Sequence, residues 1–226
     1  MRGGEIVVKN LLPEDRLEQA YELYLKKDYK ASLEHYEWFY DNAEKIDSSY
    51  SGAKYRSLKE WHCLANKYPP AFDALVKRKN NAYRLFQEKN DINILISYMR
   101  ICHALKHDEE AIKLFIHLHE VDTSLTKKVY KSIESILIKN RKWKLCSSCI
   151  DNSMEHYKML LSIFDELIRI SESGSNGEYN KNYEEKFEKD VQNLIWILKS
   201  ENREEEISKI LEELKIDLNT RNIILK

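Results

Sequence analysis

The chain is poor in the residues that break regular structure, with five glycines and three prolines in 226 residues. Folds built from many short strands and tight turns depend on both residue types, so this scarcity counts against them. Cysteine is sparse too. Four in a chain of this length do not resemble the disulfide framework of a small secreted domain, and they are expected as reduced thiols in a cytoplasmic protein. Long apolar runs are missing: the longest strongly apolar stretch is Leu194-Ile195-Trp196-Ile197-Leu198, against the roughly 20 residues a membrane-spanning helix needs. The first residues hold only Ile6-Val7-Val8 between charges, far short of a signal-peptide core, so secretion is not expected.

A charge excess of either sign is also absent. Thirty-seven Lys plus Arg stand against thirty-eight Asp plus Glu, a formal net charge of -1, which argues against a whole-chain electrostatic grip on nucleic acid or an anionic membrane. No glycine-rich phosphate loop or G-x-S-x-G turn occurs, and Gly174 and Gly177 lie in a polar stretch with no strand before it. His103 and His107 are four apart, on one face of a helix, with Asp108 beside them; yet Ala104 stands where a zinc-hydrolase helix carries glutamate. Glu184-Glu185 and Glu204-Glu205-Glu206 read as solvated faces or as first-turn charges that complement the helix dipole. No catalytic residue, metal ligand or cofactor is assigned, and the chain is read as non-enzymatic.

What the chain does have is periodicity. Hydrophobic residues make up 42% and charged residues 33%, enough to bury a core, and Leu, Ile, Lys and Glu recur at helical spacing, which predicts an all-α fold. A join between helices also recurs: a polar turn, usually with an aromatic, then a small residue, then a bulky one. It reads Asp28-Tyr29-Lys30-Ala31-Ser32 with Tyr36, Tyr68-Pro69-Pro70-Ala71 with Leu75, Asp108-Glu109-Glu110-Ala111 with Phe115, and Trp143-Lys144-Leu145-Cys146 with Ile150. Steps of 39, 40 and 35 residues separate Tyr29, Tyr68, Asp108 and Trp143, the spacing of stacked helical hairpins. Pro13 suits the start of the first helix, and Asp91 and Asp122 suit N-caps of later ones. One continuous domain over 1–226 is expected. Hairpins fill about 13–150, a divergent hairpin and capping helices fill 151–226, and the most loop-like stretch is 171–178.

With these small and aromatic positions the chain resembles the tetratricopeptide repeat family over roughly residues 13 to 150. Ala20, Ser32, Ala71, Ala111 and Cys146 match its small positions, and Tyr36 and Phe115 its aromatic one. The stretch from His35-Tyr36-Glu37-Trp38-Phe39 to Tyr68-Pro69-Pro70-Ala71 also looks like tetratricopeptide-like bacterial proteins of no assigned activity. The resemblance implies a right-handed α-hairpin solenoid, a binding scaffold and no catalytic residues. Its register implies a groove lined by Leu17, Tyr21 and Tyr24, then Arg56 and Glu60, then Arg100 and His103, then Lys131. Such a line, aromatic at one end and basic in the middle, suits a protein or peptide segment with an apolar anchor and acidic groups; the family's carboxylate-clamp pattern is not matched. Fourteen tyrosines fit both a half-wet core and an interface.

The expectation is therefore a protein- or peptide-binding scaffold, one version being a bacterial immunity or regulatory protein that covers a partner's active surface. Two other readings stand beside it. Cys146-Ser147-Ser148-Cys149 places two thiols three residues apart, on one helix face, where a lowered thiol pKa or half a zinc site would serve redox or metal chemistry. The basic clusters Lys77-Arg78-Lys79 and Lys139, Arg141, Lys142 and Lys144 would contact phosphates of a single strand, the second with Trp143 for stacking.

Overall fold

A computed structural model describes residues 12–173 and 181–221. The described residues form eleven α-helices and one short 3-10 turn, with no strand among them. None of these helices is long and apolar enough to cross a membrane. The loop-like stretch expected at 171–178 lies outside the described residues beyond Ser173, as does the segment before Leu12. The packing divides the chain into two compact units, Met1–Ala111 and Ile112–Lys226.

The first unit contains α1 (Pro13–Leu25), α2 (Tyr29–Ile46), the 3-10 turn Ser48–Tyr50, α3 (Ser51–Ala65), α4 (Pro69–Lys89), α5 (Ile92–Leu105) and the start of α6 (Asp108–Val121). Pro13 occupies the first turn of α1, where a missing amide costs nothing. The Asp28 carboxylate accepts from the Ala31 amide to start α2, and Asp91 accepts from Asn93 and Ile94 to start α5. Consecutive helices pack, α1 on α2 and α4 on α5 most extensively. Small residues sit where backbones approach. The Ser32 hydroxyl donates to the Ala20 carbonyl at 2.7 Å, and Trp61 Nε1 donates to the Ala71 carbonyl at 3.1 Å, with all four residues fully enclosed. Trp61 lies stacked with Tyr36 at 6.3 Å and edge-on to Tyr40 at 6.1 Å.

The second unit contains the rest of α6, then α7 (Thr123–Lys139), α8 (Trp143–Ser147), α9 (Ser153–Ser173), α10 (Lys181–Lys199) and α11 (Glu204–Arg221). Asp122 caps α7 through the Leu125 amide. Buried Val129, Ile133 and Leu137 of α7, Tyr157 and Phe164 of α9, and Phe187, Val191, Leu194 and Leu198 of α10 form its core, with Phe164 stacked on Phe187 at 4.8 Å.

Four of the helix joins share one backbone device. Lys27, Lys106, Arg141 and Asn202 adopt positive φ, from 54 to 63°. The amide that follows each reaches back five residues: Asp28 to Leu23, His107 to Cys102, Lys142 to Leu137 and Arg203 to Leu198, at 2.8 to 3.1 Å. This is the Schellman closure, which satisfies carbonyls that a helix end leaves open. The join at Tyr68 differs because Pro69 forces the preceding residue to be extended, and Tyr68 has φ -136°.

The helix α8 is only five residues long, shorter than the hairpin arm that the sequence suggests. The Ser148 hydroxyl turns back to the Leu145 carbonyl at 2.9 Å, a local bond that competes with the helix ladder. Arg203 takes over the capping of the truncated helix. Its Nη1 donates to the carbonyls of Ile150 (2.9 Å) and Ser147 (3.3 Å), and its Nε and Nη2 hold the Glu206 carboxylate at 2.6 and 2.8 Å.

Two measurements check these assignments. Lys106→Gly relieves a left-handed lysine at the cost of a looser unfolded chain, and urea unfolding should show a net gain of about 0.5–1 kcal/mol. Arg203→Ala removes a charged cap and should lose about 2–3 kcal/mol. The Arg203 guanidinium, above all other influences, holds the Glu206 carboxyl below its ordinary range. That stability is complete above the unfolded carboxyl value, about 4.3, and is lost as pH falls through the lower folded value. The variant's unfolding midpoint should therefore fall less than the native protein's on acidification from pH 5 to pH 3.

Candidate functional site

Seven of the residues expected in the groove, Leu17 among them, belong to the first unit, and they do not share one cavity. Tyr21 and Glu60 come together, on a pocket of about 370 Å³ whose wall also includes Leu17, Phe39, Tyr50, Glu14 and Glu18. This aromatic end is acidic, with three carboxylates and no cation in its wall. Tyr24 turns toward the core and passes a chain of ring contacts from Tyr21 (6.4 Å) to Tyr29 (6.0 Å), which meets Tyr68 at 6.3 Å. The aromatics of the first two joins thus touch each other. The Arg100 guanidinium lies 3.8 Å over the Tyr55 ring, and His103 Nδ1 lies 3.1 Å from Asp108 Oδ1. Arg56 is exposed and makes no ion pair among the described residues.

The histidine pair separates. Helix α5 ends at Leu105 and Lys106 turns left-handed, so His107 leaves the face that carries His103 and instead contacts Lys79 Nζ at 3.1 Å. Among the described residues no group of three His, Cys, Asp or Glu is arranged to hold a metal. The cluster Lys77-Arg78-Lys79 is not a phosphate grip. Arg78 is held by Glu37 (2.8 Å) and Asp41 (2.5 Å) over the Trp61 ring, and buried Lys79 is held by both oxygens of Glu110 at 2.6 and 2.9 Å.

In the second unit Lys131, the eighth expected residue, lines a cavity of about 670 Å³ between α7, α9 and α10. Ile138, Leu160, Ile163 and Ile197 supply apolar wall, and Ile163 and Trp196 remain 46% and 49% exposed there. Five cations, Lys131, Lys139, Arg141, Lys186 and Lys189, face two carboxylates, Glu134 and Asp190. The carboxylates are already engaged, Glu134 with His156 Nε2 at 3.1 Å and Asp190 with Lys186. Asn193, only 8% exposed, borders the cavity, and its carboxamide makes no hydrogen bond among the described residues.

Trp143 borders this cavity and a second one of about 650 Å³ lined by Arg141, Lys142, Lys144, His119 and Ser148. Its ring tilts onto Trp196 at 5.6 Å, so the half-buried indole already has an aromatic partner. Beside it His119 bridges two hydroxyls, with Nδ1 2.8 Å from Thr126 Oγ1 and Nε2 3.0 Å from Ser148 Oγ, and each hydroxyl also reaches a carbonyl at 2.9 Å, Thr126 that of Thr123 and Ser148 that of Leu145. This relay resembles a nucleophile with its base, but the amides next to it are spent. Ser148, Cys149 and Ile150 donate to the Lys144, Cys146 and Ser147 carbonyls, which leaves none to stabilise an oxyanion.

The thiols at Cys146 and Cys149 do not share a helix, since α8 ends at Ser147. Both are buried, and burial pushes their pKa values up to about 12 and about 11. A reactive thiol requires the opposite shift. Cys102 is likewise pushed up to about 12, and Cys63 alone of the four is exposed. Titration of the folded protein with a disulfide reagent at pH 8 should give one fast thiol, lost in Cys63→Ser, and three that react only on unfolding. Fast reaction of Cys146 or Cys149 would restore the redox reading.

The second-unit cavity was not legible as a site because three of its elements look like ordinary amphipathic helices in sequence. The one available signal is on α10, where Lys186, Asp190, Asn193 and Ile197 follow a 4-3-4 spacing, with Lys189 next to Asp190, beside the buried stripe Phe187, Val191, Leu194 and Leu198. An asparagine adjoining that stripe, without a local role, marks the place. Comparison with protein-family models, curated proteins and solved structures gives no match to this chain.

Proposed function

We propose that the protein is a non-catalytic scaffold that binds another protein or a peptide segment, built as a right-handed array of helical hairpins like those of the tetratricopeptide repeat family. The observation that carries this reading is the state of the first helix of each early hairpin. On α1, α3 and α5 the side chains of Tyr21, Arg56, Glu60 and His103 stay exposed while the opposite faces supply Ala20, Leu58, Trp61, Met99 and Cys102 to the interior. Large rigid rings and charged groups left outside the core are the ingredients of a recognition surface. The acidic pocket at Tyr21 and Glu60 and the unpaired guanidinium of Arg56 give that surface both signs of charge. A cytoplasmic regulatory or immunity-type role, in which the scaffold covers a partner's active surface, requires no chemistry from this chain.

The test is affinity capture of the tagged protein from lysate of its source cells, beside an Arg56→Glu variant shown to be folded by its thermal melt. A stoichiometric partner whose retention falls at least tenfold in the variant supports the reading. Equal retention by both proteins removes the α3 surface from it, and absence of any specific partner removes the reading itself.

A further inference from the structure

We infer that the cavity between α7, α9 and α10 is a docking site for an acidic protein segment carrying one bulky apolar side chain. The inference rests on the scaffold reading and gives it a place and a ligand chemistry.

Three independent features of the cavity converge on that occupant. The first is charge. Five cationic side chains surround the opening in a chain whose net charge is -1, and both carboxylates of the wall are already bound, Glu134 to His156 and Asp190 to Lys186. Arg141 and Lys189 make no ion pair among the described residues. Their field favours carboxylates on the ligand and repels a basic one.

The second feature is exposed apolar surface. Ile163 and Trp196 are about half exposed beside the apolar wall residues Ile138, Leu160 and Ile197. A volume of about 670 Å³ admits a side chain the size of phenylalanine or leucine together with the backbone that bears it. The third is Asn193. Its carboxamide has no partner among the described residues and is not sealed from solvent, so one donor edge and one acceptor edge stay available at the cavity. A peptide group offers the complementary acceptor and donor, whereas an aliphatic anion offers nothing to the donor and acceptor together.

Single-stranded nucleic acid fits less well. Stacking of successive bases needs open aromatic faces, but Trp143 and Trp196 already lean on each other at 5.6 Å, and the wall is more apolar than a phosphate track requires.

The test uses the full chain and calorimetric titration with defined probes: acetyl-Glu-Glu-Phe-Glu-Glu-amide, the same peptide with lysine for glutamate, the same peptide with alanine for phenylalanine, and a ten-nucleotide deoxythymidine strand. The acidic phenylalanine peptide should bind with a dissociation constant below about 1 mM, at least tenfold tighter than each other probe, and weaken as salt rises. Lys189→Glu, a surface change compatible with folding, should weaken it at least tenfold, and Asn193→Leu, checked by its thermal melt, several-fold. No binding of the acidic peptide, equal binding of the lysine peptide, or indifference to Lys189→Glu overturns the inference. Tighter binding of the deoxythymidine strand does so in favour of nucleic acid. A partner captured through Arg56 with no peptide bound here would leave the scaffold reading standing and this site excluded.

Discussion

Helix backbones can approach closely only where no large side chain stands between them, and the first unit is organised around such points. Ser32 and Ala20 let α1 and α2 come near enough for a hydroxyl to reach a carbonyl on the facing helix, and Ala71 lets Trp61 do the same from α3 to α4. Each contact removes a buried polar group from the list of unpaired ones, so close packing and hydrogen bonding are satisfied by the same residue. The bulky neighbours Tyr36 and Leu75, four residues beyond Ser32 and Ala71, then have defined places to fill. Replacing either small residue by a large one would separate the backbones, at Ser32 leaving the Ala20 carbonyl unpaired and at Ala71 both the Trp61 donor and the carbonyl.

The joins carry the second constraint, which is where the chain turns. A left-handed residue followed by a five-residue return closes four of them without glycine, using Lys27, Lys106, Arg141 and Asn202. Three of these four carry strain that glycine would avoid and that asparagine partly avoids. The long cationic side chains add charge near a helix C-terminus, where the dipole favours it. The structure thus trades some backbone strain for electrostatic gain at the same position. Arg203 shows a related economy on the other side of a join: it follows Asn202, immediately precedes α11, and reaches back along the chain to cap α8.

What the sequence revealed follows from how local each signal is. Helix starts at Pro13, Asp91 and Asp122 were readable because a cap acts within three residues, and the all-helical character was readable because its period repeats over the whole chain. The length of α8 was not, since the Arg203 guanidinium that caps its end comes from more than fifty positions further along the chain. The fate of Lys77-Arg78-Lys79 was hidden for a different reason. A basic cluster looks free until its counter-charges are known, and Glu37, Asp41 and Glu110 lie 41, 37 and 31 positions away from the cations they bind. Of the expected groove residues, Leu17, Tyr21 and Glu60 line one pocket, whereas two of its three carboxylates come from Glu18 and Glu14, one and two turns before Tyr21 on α1.

A nearly neutral chain can still present strong local fields, and this one separates them by unit. In the first unit the carboxylates of Glu14, Glu18 and Glu60 gather on one pocket, while many of the cations of that unit are neutralised: Arg78 and Lys79 by carboxylates, Lys54 by Glu44. In the second unit the balance reverses at the cavity of Lys131, Lys189 and Arg141, where the anions are the engaged groups. Each field acts over about 8 Å at physiological salt, the reach of a side chain rather than of a domain. Recognition by either unit therefore depends on which charges its own packing leaves uncompensated, and net charge, which averages the two, carries no information about the ligand of either.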